Sequence, residues 1–267
     1  MSWFVRIPQR LRLIGCVLVT LLAACATTDQ APSDPFSGGA VLVAGGSGRA
    51  GTCVLDELAA RKIAFRATTR SIATARERLG TKADGVSWVE ADLRDPVAAR
   101  AAMKDVTMVV SVIGSRELTG DNSAEFVDYG AVRNLVDAAR EAGVKRFVLL
   151  TAIGTTDRES FANKLFKGAL EWRYRGEQHL RASGVPYTVV RPAGLVNDAA
   201  NAKGVRLWQG DDWRSHTRKT ISRADLAAVL VESLVEPGAR NASFEIANDA
   251  GEPPGTWRAQ LAGLKAD

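Results

Sequence analysis

From residue 40 onward, apolar runs and mixed segments take turns along the chain. Residues 40–44 (AVLVA) are apolar and lead into Gly45, Gly48 and Gly51. A helix-like segment follows, then a second apolar run that ends on Arg70. Ser71 caps a short helix reaching residue 79, and residues 86–90 (VSWVE) read as a third strand closed by Asp92-Leu93. Pro96 opens another helix at a position where its missing N–H costs nothing. Residues 107–112 (TMVVSV) read as a fully buried fourth strand. A helix over about 124–142 ends at Gly143, and residues 146–151 (RFVLLT) form strand five. A helix over about 165–182 and a sixth strand, 187–191, halted by Pro192, complete the pattern. Apolar strands alternating with amphipathic helices predict an α/β fold, a doubly wound parallel sheet covered on both faces.

Past Gly194 the pattern weakens. Residues 195–220 have no clear period, 222–234 read as a helix capped near Ser222, 243–246 as a last strand and 257–264 as a closing helix. This stretch predicts a small C-terminal lobe on the substrate side, too short for a core of its own.

Ligands of such sheets lie beyond the carboxyl ends of the strands. Gly45 to Gly51, Arg70, Asp92, Gly114 and Thr151 all fall there. A strand, a glycine turn and a helix form a phosphate cradle. Gly45 makes the turn, Gly48 lets backbone approach a pyrophosphate, and Gly51 lets the helix pack closely. Unpaired N–H groups at the helix start then favour an anion. The end of strand two selects the cofactor. A carboxylate there would bond a ribose 2′-hydroxyl, as NAD requires, whereas Arg70 can pair bidentately with a 2′-phosphate. NADP is therefore expected over NAD, with Arg66 and Arg76 adding charge nearby.

Composition changes the picture mainly at the N-terminus. The chain has 267 residues, 46% hydrophobic and 24% charged, with a net charge of +5. Three of its 35 basic residues, Arg6, Arg10 and Arg12, precede residue 25, where no acid occurs; the rest balances 30 acidic residues to within +2. No basic stripe interleaved with aromatics is present, which argues against a nucleic-acid partner. A basic start followed by the apolar run 13–24 has the form of a signal peptide. The run ends in Leu22-Ala23-Ala24-Cys25, which resembles the lipobox of bacterial lipoproteins. That resemblance implies cleavage after residue 24, lipidation of Cys25 and a membrane anchor in the cell envelope. An unprocessed lipobox would leave the protein cytoplasmic. Residues 25–39 then form a flexible tether, and residues 40–267 the folded domain. Cys16 leaves with the signal and Cys25 carries the lipid, so Cys53 has no partner for a disulfide. No metal-ligand cluster is visible.

A set of motifs points to one family. Gly45-Gly46-Ser47-Gly48-Arg49-Ala50-Gly51, Thr69-Arg70-Ser71, Glu90-Ala91-Asp92-Leu93, Asp128-Tyr129-Gly130 and Thr151-Ala152-Ile153-Gly154 belong to it. So do Ser183 to Thr188 with Arg191-Pro192, and Ser222-Arg223-Ala224-Asp225. Together they resemble the atypical short-chain dehydrogenase/reductases of the NmrA-like NAD(P)-binding group, and especially members with a W-K-R-x-x-E helix motif. The resemblance implies a Rossmann-like domain and places Gly45, Ser47, Gly48, Arg49, Ala50 and Gly51 on the pyrophosphate side. It puts Arg70 and Ser71 at the 2′-phosphate, Asp92 and Leu93 at the adenine, and Gly114, Thr151 and Arg173 along the rest of the cofactor.

The chain departs from the family's catalytic pair. Its helix reads Trp172-Arg173-Tyr174-Arg175-Gly176-Glu177, so Arg173 stands at the lysine position and Ala169 at that of the proton-donating tyrosine. Arginine does not titrate at ordinary pH, and alanine transfers no proton. His179 and His216, the two histidines, read as packing or surface residues, with a general acid as the alternative for either, and no catalytic residue is assigned. The expectations are an NADP-dependent reductase of a small molecule, a non-catalytic dinucleotide sensor, or a lipid-anchored envelope protein using the fold for protein contacts. No oligomeric state follows.

Overall fold

A computed structural model describes residues 1–3, 34–157, 159, 163–164, 168–212 and 219–267. The expected signal peptide, Cys25, most of the tether and His216 lie outside the described residues. Residues Asp34–Asp267 form one compact unit.

Its strands are β1 Ala40–Ala44, β2 Phe65–Thr69, β3 Ser87–Glu90, β4 Val106–Ser111, β5 Arg146–Leu150, β6 Tyr187–Pro192, β7 Gly194–Val196, β8 Gly204–Trp208, β9 Thr220–Ser222 and β10 Ala242–Asp249. Its helices are α1 Arg49–Ala60, α2 Ile72–Leu79, α3 Pro96–Ala102, α4 Val132–Glu141, α5 Ala169–Ala182, α6 Arg223–Glu232 and α7 Trp257–Ala262. The main sheet runs β3-β2-β1-β4-β5-β6-β10-β8, parallel except for β8, which is antiparallel to β10. The chain departs from β1 in opposite directions, to β2 and later to β4, so a crevice opens at the carboxyl ends of these strands.

Side-chain alternation divides the core into two layers. Val41 and Val43 of β1 pack with α1 and α6, whereas Leu42 and Ala44 pack with α3 and α4 on the opposite face. That period of two is what a strand buried on both faces requires. Helix starts follow local chemistry: Ser71 accepts the Thr74 N–H, Asp95 the Val97 N–H, and Ser222 the Ala224 and Asp225 N–H groups. These caps are worth about 1 kcal/mol each.

Two regions differ from expectation. Before α4, Glu125–Ala131 is a π-helical segment, a geometry that occurs mostly in short pieces and often at functional sites. The C-terminal elements, expected as a small lobe without a core of its own, join the main unit. β10 inserts beside β6, β8 forms the far edge, and α6 packs along α1. β7 and β9 pair separately as a short parallel ribbon. β7 and β9 have three residues each, too few to show a period, and in β8 Gly204 and Arg206 interrupt the apolar run. Among the described residues no helix is long and apolar enough to cross a membrane.

Candidate functional site

The turn between β1 and α1 is built by its glycines. Gly45 has φ +83°, which excludes most side chains, and its N–H donates to Thr68 Oγ1 at 3.1 Å. A Cβ on Gly51 would lie 2.3 Å from the Gly45 carbonyl oxygen, so only glycine lets α1 start this close to the turn. Gly48 caps α1 without a side-chain hydrogen bond, and the first turn contains no acid. The first backbone bond into the helix is Thr52 N–H to the Gly48 carbonyl at 2.9 Å. The N–H groups of Arg49, Ala50 and Gly51 precede it, and with the helix dipole they form a place for an anion.

These groups open into a cleft of about 710 Å³ along the carboxyl ends of β1, β2, β3, β4 and β5. Gly45, Ser47, Gly48, Arg49, Ala50, Arg70, Asp92, Leu93, Gly114, Thr151 and Arg173 all line it. Two of the expected residues do not. Gly51 lies beneath the turn, and the Ser71 hydroxyl oxygen accepts the Thr74 N–H at 3.2 Å as the cap of α2. Neither Arg66 nor Arg76 lines the cleft. Arg66 donates to the Lys104 carbonyl, while Arg78, two residues beyond Arg76 on α2, lines it. His179 is paired with Asp137 at 2.8 Å between α5 and α4, outside the cleft. Cys53 is packed rather than reactive: burial, reinforced by Asp56, pushes its thiol pKa up.

Charge in the cleft is strongly one-sided. Seven arginines line it, against Asp92 and Glu117 as the acidic residues among those described. One acid is already neutralised. Arg94 Nε donates to both Asp92 oxygens at 2.9 and 3.0 Å, and its NH2 bonds the same carboxylate. Pairing with Arg94 holds Asp92 below the usual carboxylate range despite some burial. Arg70 is exposed at the mouth, and its NH1 donates to Asn122 Oδ1 at 2.6 Å.

Across β1 and β4 from Arg70, about 14 Å away at the usual strand spacing, lies the Thr151 end. Arg173 Nε donates to Asp128 Oδ1 at 2.9 Å, and the other Asp128 oxygen accepts the Ser115 N–H at 3.0 Å. Asp128 is 5% exposed and sits on the π-helical segment. Thr151 Oγ1 donates to Glu177 Oε1 at 2.7 Å. Fully buried, Glu177 also accepts from Thr155, Arg181 and Arg191. Asp128 and Glu177 stand in the motifs that the sequence displays; their work is to hold Arg173 and Thr151. Arg94 is signalled only by its place two residues after Asp92. Asn122 has no sequence signal.

A family model described as NAD(P)H-binding matches residues 45–237. Sanguinarine reductase of Eschscholzia californica is 28% identical over 77% of this chain and 88% of its own length. An NAD(P)H azoreductase of Xenophilus azovorans is 31% identical over 77% of this chain and 67% of its own. Among solved structures, a candidate NAD-dependent epimerase/dehydratase from Bacillus halodurans superposes with a TM-score of 0.70 at 25% identity. It covers 84% of this chain and 99% of its own.

Proposed function

The chain belongs to the NAD(P)H-binding family, and on that premise we propose that it is an NADPH-dependent reductase of a small organic molecule, within the NmrA-like short-chain dehydrogenase/reductases. The observation that carries the reading is Arg70 at the cleft mouth, where an NAD-selective protein would carry a carboxylate. The two reductases among its relatives support the reaction class.

The residues present fit such a cofactor. A Cβ on Gly48 would meet only the Gly45 carbonyl, at 3.1 Å, and would otherwise project toward the cleft that Gly48 lines. Gly48 and the uncapped start of α1 would receive the pyrophosphate, Arg70 the 2′-phosphate and Leu93 the adenine. Asp92 faces the same end with its charge already paired. Thr151 and Arg173 lie at the other end. NADPH supplies a hydride when bound. Asp128 fixes Arg173 through Nε, and NH1 reaches the Thr151 carbonyl at 3.5 Å, which leaves NH2 to donate to ribose hydroxyls or to an acceptor oxygen.

Arg70→Glu tests the reading by titration. Exchanging a charge-assisted phosphate contact for repulsion is expected to weaken NADPH binding about a hundredfold, with NADH binding changed at most a few-fold. Equal losses for both cofactors would overturn the 2′-phosphate assignment. A second reading, a dinucleotide sensor without turnover, is favoured by Ala169 and Arg173 at the usual catalytic positions, the latter tied to Asp128. Offering the same wild-type protein quinones and azo compounds separates the two. Oxidation of NADPH supports the reductase, and tight binding without oxidation supports the sensor.

For location, we propose a lipid anchor at Cys25, supported by the basic start, the apolar run 13–24 and the lipobox-like residues before the cysteine. Cys25→Ser is expected to abolish incorporation of labelled fatty acid and to release the protein from the membrane fraction. Unchanged labelling would refute the anchor. Dinucleotide analysis of wild-type protein purified from its native membrane then shows whether the anchored form carries the cofactor.

A further inference from the structure

Two arginines from neighbouring strand ends reach consecutive residues of one loop. Arg94, after β3, donates through NH1 to the Asp121 carbonyl at 2.8 Å. Arg70, after β2, donates through NH1 to the side-chain oxygen of Asn122 at 2.6 Å. The loop between β4 and the π-helical segment is itself pinned. Ser115 Oγ bonds the Asn122 carbonyl at 2.5 Å and accepts the Glu117 N–H at 3.0 Å, while Glu117 bridges to Ser123. The backbone of Asn122 is thereby fixed, and its amide is presented to Arg70.

The two arginines differ electrically. Arg94 has the Asp92 carboxylate against Nε and NH2, so its charge is cancelled where it stands. Arg70 touches a neutral amide, and among the described residues no carboxylate forms an ion pair with it. Asp92, a carboxylate that feels its charge, is already gripped by Arg94, so Arg70 keeps its charge for a ligand at the cleft mouth, while a hydrogen bond limits the rotamers of a long, exposed side chain. A guanidinium has five N–H donors, so the bond at NH1 leaves Nε and NH2 able to grip a phosphate as a fork. A carboxylate in place of the amide would orient Arg70 equally well but would consume the charge.

We infer that Asn122 is a positioning residue for cofactor selectivity: it aims Arg70 at a 2′-phosphate through an acceptor that leaves the guanidinium charge intact. The inference rests on the NADPH reading above. It makes selectivity a property of the β4–α4 loop as well as of the end of β2.

The test measures dissociation constants for NADPH and NADH by fluorescence titration of wild type, Asn122→Ala, Asn122→Asp and Asn122→Gln, with Arg70→Glu as reference. Asn122→Asp is expected to lower the preference for NADPH about tenfold or more, because its carboxylate captures Arg70 and repels phosphate. Asn122→Ala should lower it roughly threefold through lost orientation, and Asn122→Gln, which keeps the amide, should retain most of it. NADH affinity should stay within about twofold of wild type in all three, a result that a collapsed loop would not give. Unchanged preference in the Ala and Asp variants, with preference lost in Arg70→Glu, overturns the role of Asn122 and leaves the NADPH reading standing. Parallel loss of NADH affinity also overturns it, since the loop would then act as general support. Unchanged preference in Arg70→Glu removes the NADPH reading, and the role of Asn122 with it.

Discussion

Gly48→Val is expected to abolish useful dinucleotide binding while leaving the domain folded. Gly48 has φ −75° and ψ 168°, extended backbone that valine adopts readily, so the substitution adds no backbone strain. The new Cβ meets only the Gly45 carbonyl at 3.1 Å, a contact relieved by a shift of a few tenths of an ångström. Its two methyl groups then stand in the cleft where a pyrophosphate must approach the start of α1. Overpacking of a close contact costs about 1–3 kcal/mol. With phosphate also held away from the helix N–H groups, affinity for NADPH and NADH alike should fall about a hundredfold or more. Calorimetric titration measures the loss, and thermal unfolding checks that the fold is kept. Retained affinity would mean that the turn does not cradle phosphate. Gly51 provides the contrast. Its Cβ would lie 2.3 Å from the Gly45 carbonyl oxygen and 2.7 Å from Gly46 Cα, so substitution there disrupts the turn itself and the loss of binding would be uninformative.

The glycine turn was legible in sequence because its causes are local. A buried strand, three glycines at fixed spacing and an amphipathic helix leave few ways to join. The same locality explains why the cleft gathers Arg70, Asp92, Gly114 and Thr151, each just past the end of a strand visible as a short apolar run. Ser71 has two roles written at one position, a phosphate contact and a helix cap; its oxygen accepts the Thr74 N–H as the cap, and its O–H remains a donor. Arg76 and Arg78 show where this reasoning fails, because a two-residue change of position on α2 decides which guanidinium reaches the cleft, and the polar face of a short helix does not fix that rotation. Asn122 and Asp128 depend on contacts 52 and 45 residues away in sequence. Nothing in a local pattern records such partners. β7 and β9 were missed because three residues are too few to repeat, and β8 because Gly204 and Arg206 break up its apolar run.

Glu177→Ala is expected to produce the largest loss of stability. The carboxylate is fully buried and receives Arg191 NH2 at 2.6 Å, Arg181 NH1 at 3.2 Å, and the hydroxyls of Thr151 and Thr155. Burial alone would lower the Arg191 pKa, but bonding to Glu177 and further acids raises it on balance, so this guanidinium stays charged inside the protein. Removing Glu177 leaves Glu245 as its direct ion-pair partner at 3.0 Å. Arg191 then keeps one carboxylate where it had two, and Thr151, Thr155 and Arg181 lose their shared acceptor; breaking a buried network of this kind costs about 3–5 kcal/mol. For a domain of this size that corresponds to a fall in Tm of roughly 6–20 °C. The effect should reach the site as well, since Thr151 loses the acceptor that fixes its hydroxyl at the cleft wall. Joint replacement of Glu177, Arg191 and Glu245 by Leu, Met and Leu removes the charge of Arg191 together with both carboxylates paired with it. It is expected to recover part of the lost stability, since buried ion pairs and triads are often replaceable by apolar residues of similar volume. A triple variant less stable than Glu177→Ala would show that the network's hydrogen bonds, rather than its charge balance, hold this part of the core.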